Sequence, residues 1–282
     1  MKTYEEPAAI WDWAKGQREA GKSIALVPTM GYLHEGHLSL VREARSRADR
    51  VVVSIFVNPT QFGENEDLST YPRDTQGDLD KLAAEGVDAV FLPSPATVYP
   101  AGYNTYVVPS TLSERLCGEF RPGHFRGVCT VVSLLFRMTQ CHVALFGKKD
   151  YQQLRILEQM SQDLWLGVEV VGMPIVREND GLAMSSRNAY LSQSERQQAL
   201  SLSQALAEAE KMVRAGQMTL PEVLKGIRAH IESQPDTKID YIELVDAQTL
   251  EPVSDFSEPT LCAMAVFVGK TRLIDNRVLV RG

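Results

Sequence analysis

Residues 28–37 read PTMGYLHEGH, and this decapeptide joins a short apolar run, Ser23–Val27, to a segment with helical periodicity. Apolar residues recur at helical spacing after it, beginning with Leu38 and Val41. We therefore predict a strand-to-helix turn. A helix N-terminus offers free backbone N–H groups and the positive end of the helix dipole, which suits phosphate.

Two histidines of the decapeptide are placed for such a ligand. His34 and His37 are three residues apart and share a face once the helix has begun. Gly36 lets a ligand approach the backbone, and Gly31 permits a tight turn. A nucleotide triphosphate site is favoured, while half of a zinc site and surface residues without function stay open as alternatives. Zinc needs three or four ligands, and the remaining histidines, His124, His142 and His230, do not complete a zinc motif.

Composition limits the classes of function. A chain of 282 residues, 44% hydrophobic and 23% charged, is long enough for one large globular domain and a smaller one. A net charge of -7 argues against a nucleic-acid partner. No stretch has the apolar length of a signal peptide or a membrane span, so we expect no membrane partner and a cytoplasmic location. The four cysteines lack a C-x-x-C pair and are expected to be reduced thiols.

The pattern along the chain predicts an α/β fold. Val51–Val57 is apolar at all but one position, as in a strand covered on both faces of a parallel sheet. It completes a βαβ unit with Ser23–Val27. The other elements predicted before residue 176 are helices over 4–20, 75–85, 128–138 and from Gly147–Asp150 to about 164, and strands over 87–92, 106–108, 142–146 and 168–172.

The remainder of the chain breaks this alternation. Two helices, over about 192–215 and 219–233, are each preceded by a capping box. Three strand-like runs follow over 239–245, 261–268 and 271–274. We therefore place a domain boundary near residue 176.

Polar loops follow several of the predicted strands. Asn58–Gly63 lies where open α/β sheets bind ligands, and Asn58 and Gln61 can each donate and accept hydrogen bonds; a plain Asn-Pro turn is the alternative. The long segment 93–127 carries Arg121, His124 and Arg126, and is either a substrate lid or an ordinary surface excursion.

Two further loops carry charge or hydroxyl groups. In Gly147–Asp150, lysine suits phosphate and aspartate suits hydrated Mg²⁺, and an N-capping Asp150 beside solvated lysines is the alternative. In Gly181–Asn188, two serines next to an arginine are suited to bind phosphate.

Five segments in order, PTMGYLHEGH, SIFVNPTQF, RPGHFRGV, FGKKDYQQL and GLAMSSRN, resemble the pantothenate synthetase (pantoate–beta-alanine ligase) family of the HxGH nucleotidyltransferase superfamily. The tail from about residue 193 resembles the family only in general pattern. The resemblance implies a Rossmann-like nucleotide- and pantoate-binding domain over 1–175, a smaller α+β lid domain over 176–282, a homodimer, and Mg²⁺-ATP as co-substrate.

The implied reaction has two steps. Pantoate attacks the α-phosphate of ATP to give pantoyl adenylate and pyrophosphate, and β-alanine then displaces AMP to give pantothenate, a precursor of coenzyme A. The catalytic residues implied are His34, His37 (the proton donor), Lys149 and Arg187; ATP would be bound by Met30, Gly31, Tyr32, Leu33, His34, Glu35, Gly36, His37, Gly147, Lys148, Lys149, Asp150, Val176, Met184, Ser185, Ser186 and Arg187; the other substrates by Asn58, Gln61, His124 and Gln153; and magnesium by Asp150.

One position departs from the family pattern. Lys148 stands where the family usually has glutamate, so an acidic position beside the phosphate-binding lysine has become basic. Two other functions use similar motifs: a nucleotidyltransferase that releases an adenylated or cytidylylated product, and a nucleotide-binding regulatory module without turnover.

Overall fold

The computed structural model describes residues 1–64, 66–216 and 218–282. These residues form two compact units. The first comprises Met1–Ser113 and Phe120–Pro174, and the second comprises Glu114–Glu119 and Ile175–Gly282.

The first unit contains a parallel sheet of six strands in the order β1-β4-β3-β2-β5-β6. The strands are β1 (Lys2–Tyr4), β2 (Ile24–Thr29), β3 (Arg50–Ile55), β4 (Ala89–Phe91), β5 (Val143–Gly147) and β6 (Glu169–Met173). Most residues of β2, β3 and β4 are buried, which is expected of strands covered on both faces. The Rossmann-like α/β architecture predicted for this part of the chain is confirmed.

Seven α-helices begin among the described residues up to position 174. They are α1 (Pro7–Glu19), α2 (Glu35–Arg47), α3 (Thr75–Ala84), α4 (Pro95–Val98), α5 (Cys117–Phe120), α6 (His124–Thr139) and α7 (Tyr151–Asp163). Helix α2 buries Leu40, Val41 and Ala44 in a core shared with β2 and β3. This apolar stripe repeats at helical spacing, so α2 is fixed on the sheet and its N-terminus is held at the end of β2.

The strand order creates a switch point beside β2. From β2 the chain passes to β3 and β4 on one side, and later returns to β5 on the other side. Ligands of open α/β sheets bind in the crevice at the carboxyl ends of the strands on either side of such a point. The decapeptide begins in the last residues of β2, and Gly147–Asp150 begins at the last residue of β5, so the fold places both predicted phosphate loops at this crevice.

The second unit contains α8 (Gln193–Arg214), α9 (Leu220–Glu232) and an antiparallel sheet of β7 (Thr237–Asp246), β8 (Thr260–Val268) and β9 (Thr271–Leu279). Both helices share an apolar core with the sheet. Arg177 makes two hydrogen bonds, of 2.7 and 2.8 Å, to the buried carboxylate of Asp275 on β9. The two-helix, three-strand pattern predicted from the sequence is confirmed.

Four secondary-structure predictions were wrong in detail. The strand predicted over 271–274 extends to Leu279 as β9. The helix predicted over 4–20 begins at Pro7, because Lys2–Tyr4 pairs with β4 as the edge strand β1. The strand predicted at 106–108 is absent: Tyr106 lies under the Arg126 guanidinium, 3.6 Å from the ring centre, and Val107 N–H donates to Thr130 on α6. The helix predicted from residue 128 begins at His124.

Two further expectations concern membrane-spanning helices and the state of the cysteines. In the described ranges, no helix is both long enough and apolar enough to span a membrane. Cys117, Cys129, Cys141 and Cys262 are all free thiols. Burial raises the pKa of Cys129, Cys141 and Cys262 to about 12.

Candidate active site

The turn between β2 and α2 is tightly constrained. Gly31 has φ +84°, and a Cβ there would lie 3.0 Å from Ile55 and 3.1 Å from Asp78. Tyr32 is also in the left-handed region, with φ 52°. Two consecutive residues in this region cost conformational energy that the surrounding structure must offset. Such backbone conformations recur at ligand-binding loops.

A carboxylate from α3 holds this turn in place. Asp78 is 1% exposed and accepts hydrogen bonds from the backbone N–H groups of Tyr32 (2.7 Å) and Leu33 (2.6 Å). Lys81 on the same helix donates to the Leu33 carbonyl at 2.9 Å. Burial raises the pKa of Asp78, although these hydrogen bonds oppose the shift. Asp78 and Lys81 were missed by sequence reasoning, because neither differs in pattern from other polar residues of an amphipathic helix.

His34 and His37 stand at the start of α2 with their ring centres 4.1 Å apart. The Nδ1 atom of His34 accepts from the Gly36 N–H at 3.1 Å, and the Nδ1 atom of His37 accepts from the His34 N–H at 3.3 Å. A neutral imidazole that accepts at Nδ1 carries its hydrogen on Nε2. Both rings therefore have an Nε2–H donor.

The pKa of His37 is lowered from 6.5 to about 3, first by desolvation, then by the electrostatic interaction with the neighbouring His34 ring, and then by the positive charges of Lys149 and Lys81. The side chain retains some surface exposure but is densely surrounded by protein. At neutral pH His37 is a neutral imidazole. Since the positive charges of Lys149 and Lys81 disfavour its protonation, the space around it favours an anion.

The two lysines of the loop after β5 differ in their exposure to solvent. Lys149 is half-buried and close enough for its charge to act on His37, whereas Lys148 is exposed. Lys148 lies beside β6, since a Cβ on Gly172 would be 3.3 Å from its Cε atom. Gly147 ends β5, and Asp150 occupies the position before α7 without capping it through its side chain. The N-capping alternative for Asp150 is thus contradicted.

Gln61 ends a one-turn 3₁₀ helix, Pro59–Gln61, that follows β3, and Asn58 precedes this helix as its N-cap. Asn58 is 1% exposed, and its Nδ2 atom donates to Gln61 Oε1 (3.0 Å) and to the Gly127 carbonyl (3.1 Å). Gly127 permits this approach, because a Cβ there would lie 2.3 Å from the Thr60 carbonyl oxygen. Gln61 itself is partly exposed, and its Nε2 atom lies 3.3 Å from Met30 Sδ at the end of β2.

His124 contacts the same turn from the start of α6. Its Nδ1 atom lies 2.8 Å from the Gln61 carbonyl and must donate there, so Nε2 is the acceptor that faces Arg121 Nη1 at 3.2 Å. Arg121 is held by Glu66, with Nε 2.7 Å from the carboxylate. Burial, followed by the charge of Arg121, lowers the pKa of His124 to about 4. His124 is therefore neutral, and both ring nitrogens are engaged with protein.

The other predicted substrate residue, Gln153, is in the first turn of α7 and is partly exposed. Its neighbour Gln152 is buried and donates to the Leu112 carbonyl at 2.8 Å. In the described parts of the chain, no cluster of three or more metal-ligating side chains is found, which gives no support to the zinc alternative for the two histidines.

The loop Gly181–Asn188, which carries Ser185, Ser186 and Arg187, belongs to the second unit. Val176 and Met184 are paired there, with the Met184 N–H donating to the Val176 carbonyl at 3.0 Å. Ser185 precedes a 3₁₀ helix, Ser186–Tyr190, and accepts from the Arg187 N–H at 3.3 Å. Asn188 fixes the loop by donating to Glu178 and to the Ala183 carbonyl. The five ATP-binding residues predicted here thus form one local structure.

Comparisons with known proteins agree along the whole chain. The family model described as pantoate-beta-alanine ligase matches residues 2–278. Pantothenate synthetase from Myxococcus xanthus is 54% identical over 96% of this chain and 94% of its own, and that from Thermotoga petrophila is 52% identical over 99% and 100%.

Solved structures give the same result. Pantothenate synthetase from Thermus thermophilus has a TM-score of 0.93 at 43% identity, covering 99% of this chain and 100% of its own. The pantoate-beta-alanine ligase of Francisella tularensis, solved with beta-gamma ATP and beta-alanine, has a TM-score of 0.83 at 32% identity, covering 99% and 97%. The chain belongs to the pantoate–beta-alanine ligase family.

Proposed function

We propose that this chain joins (R)-pantoate to β-alanine in two steps, through a pantoyl adenylate. The pantoate carboxylate attacks the α-phosphorus of ATP and pyrophosphate leaves; the β-alanine amine then attacks the acyl carbon and AMP leaves. Family membership supports the ligase over a transferase that stops at an adenylate and over a regulatory module without turnover.

The observation that carries the proposal is the cationic, donor-rich environment at the start of α2. Two imidazoles with Nε2–H groups stand there, and the charges of Lys149 and Lys81 reach His37. The N-terminus of α2 adds backbone N–H groups and the positive end of its dipole. These groups suit a triphosphate, and transfer of this kind depends on positioning and charge stabilisation rather than on a protein nucleophile.

His37 acts in this proposal as a neutral hydrogen-bond donor. With a pKa of about 3 it holds no extra proton to release at neutral pH. Its Nε2–H group instead stabilises negative charge that grows on the phosphate in the transition state. This differs from the proton-donor role that the family resemblance implies.

Asp150 fits a magnesium ion that arrives with ATP. Mg²⁺ is commonly held by one or two carboxylates together with substrate phosphates and water. Asp150 follows Lys149 and is exposed, and its side chain makes no capping hydrogen bond to α7. We propose that it holds the ion, which would neutralise phosphate charge.

The substrate acid is assigned to the other side of the crevice. Gln61 and Gln153 are the partly exposed amides that we propose for pantoate. Ser185, Ser186 and Arg187 are proposed as a phosphate-binding loop on the basis of their motif, in a second unit that would act as the lid domain.

A homodimer is also proposed. The family resemblance implies it, and Trp165 offers an apolar surface, 93% exposed, beside Leu164 at the turn that leads into the edge strand β6. Light scattering of the purified chain tests this assembly, and Trp165→Ser should weaken it if the surface is shared between copies.

The function is tested by measuring AMP release from ATP and pantoate, with and without β-alanine. Sustained AMP and pantothenate formation should require all three substrates. Equal AMP production without β-alanine would contradict the ligase, and pyrophosphate formation without β-alanine-dependent AMP release would indicate the transferase.

A further inference from the structure

The turn after β2 has the form of an anion-binding nest, and its anion is the side chain of Asp78. Gly31 and Tyr32 both have positive φ, a backbone form in which successive N–H groups converge on one point. The Tyr32 N–H donates to Asp78 Oδ2 at 2.7 Å, and the Leu33 N–H donates to Oδ1 at 2.6 Å. Asp78 is 1% exposed, so these two N–H groups are engaged within the protein.

Leu33 is held at each of its groups. Its N–H is bound by Asp78, and its side chain is 4% exposed in the core shared with β2 and β3. Its carbonyl accepts a hydrogen bond of 2.9 Å from Lys81 Nζ. Lys81 lies one turn after Asp78 on α3, with Nζ 3.8 Å from the carboxylate. The two charged side chains of one helix therefore fix the residue that precedes His34.

The peptide group between Leu33 and His34 passes this constraint to His37. A peptide unit is planar, so its carbonyl and its N–H point in opposite directions and turn together. Lys81 binds the carbonyl of this unit, and the N–H at its other end donates to His37 Nδ1 at 3.3 Å. Because a backbone N–H can only donate, Nδ1 must be the acceptor and the ring hydrogen must lie on Nε2.

We infer that Asp78 and Lys81 are positioning residues that act through the Leu33–His34 peptide to hold His37 in the Nε2–H tautomer. Asp78 is buried and bound to two backbone groups, so it acts without contacting substrate. The inference rests on the proposed function, in which His37 is a donor to phosphate, and it names what keeps that donor in place.

Kinetics of Asp78→Asn test the positioning role. Asparagine keeps the shape of the side chain but sets an N–H₂ group against one of two backbone donors. The displaced imidazole should lower kcat for β-alanine-dependent AMP release by about 10- to 100-fold. Asp80→Asn is the matched control, because Asp80 is exposed on the same helix and accepts only from Gln76 among the printed contacts; its kcat should stay within about twofold of the wild type. A loss of less than about threefold in Asp78→Asn would overturn the inference.

A double-mutant cycle shows whether the effect passes through His37. In the His37→Ala background, Asp78→Asn should lower kcat by less than about a further threefold. Full additivity would show that Asp78 acts by another route and would overturn the inference.

Nuclear magnetic resonance of ¹⁵N-labelled histidine rings tests the tautomer without relying on activity. His37 should be the Nε2–H form in the wild type and a mixture of tautomers in Asp78→Asn and in Lys81→Met. His142 is the internal reference, because its Nδ1 atom accepts from the Ile24 N–H at 3.0 Å and should keep the Nε2–H form throughout.

Lys81→Met carries both measurements if Asp78→Asn does not fold, because the Lys81 side chain is partly exposed. A single Nε2–H tautomer of His37 retained in the folded variants would overturn the inference, even if loss of charge lowers kcat. A wild-type enzyme that shows the expected tautomer but no β-alanine-dependent AMP release would reject the proposed function, while the tautomers of the variants would still decide the positioning role.

Discussion

Replacing His37 probes whether this side chain acts as a donor or as an acid. Its Nδ1 atom accepts from the His34 N–H and its pKa is about 3, so a neutral Nε2–H group is what it offers at pH 7. Loss of one donor to a developing anion costs about 2.7–4 kcal/mol, or about 10²–10³ in kcat. We therefore expect that reduction for His37→Ala in a continuous assay of β-alanine-dependent AMP release.

His37→Gln is the matched control, because its amide N–H₂ can occupy nearly the same place as Nε2–H without ever carrying a proton to release. It should retain activity within about tenfold of the wild type, and thermal unfolding should confirm that both variants fold. Glutamine as damaging as alanine would point to acid catalysis and refute the donor role. A loss of less than about threefold in His37→Ala would move the chemistry away from α2.

Three other perturbations follow from the geometry. Lys148→Glu should change kcat/KM for ATP by less than about tenfold, because an exposed charge contributes about 0–1 kcal/mol, whereas Lys149→Ala should be severely impaired; the reverse order in steady-state kinetics would shift the loop alignment by one residue. Gly127→Ala should destabilise the chain by about 1–3 kcal/mol in urea unfolding, because a methyl group would overlap the facing loop, 2.3 Å from a carbonyl oxygen; unchanged stability would contradict that close contact. His37 and His124 have pKa values lowered from 6.5 to about 3 and about 4, so the unfolded chain binds more protons than the folded chain, and the free energy of unfolding should fall as pH drops below about 6.5. Replacing both residues with glutamine should make the free energy of unfolding less dependent on pH between pH 6.5 and 4. An unchanged pH dependence would contradict the neutral state of the two histidines.

The turn after β2 could be predicted because its signals are local. An apolar run, two glycines and two histidines three apart lie within one short stretch, and the helical spacing after them needs no distant partner. The anchor of that turn could not be predicted, because Asp78 reaches Tyr32 from 46 residues away. A buried aspartate in the first turn of a helix looks like any other N-terminal acid until the tertiary contact is known.

The difference between local signals and long-range contacts also explains the incorrect predictions. The segment Tyr106–Val108 has residues suited to a strand. It contacts Arg126 and Thr130 of α6 instead of pairing with a neighbouring strand. Asn58 shows the limit for the site. Its position at the end of a strand suggests a ligand contact, whereas its burial and partners, which arise from Gly127 and Tyr99, leave it no capacity for one.

Transfer of oxygen from pantoate to AMP tests the central claim most directly. If the pantoate carboxylate attacks the α-phosphorus, one of its oxygens becomes the bridging atom of the adenylate and leaves with AMP. With both carboxylate oxygens labelled as ¹⁸O, mass spectrometry should find one heavy oxygen in each AMP and one in each pantothenate. Unlabelled AMP formed together with pantothenate would contradict an adenylate intermediate, and with it the assignment of the α2 crevice to adenylation.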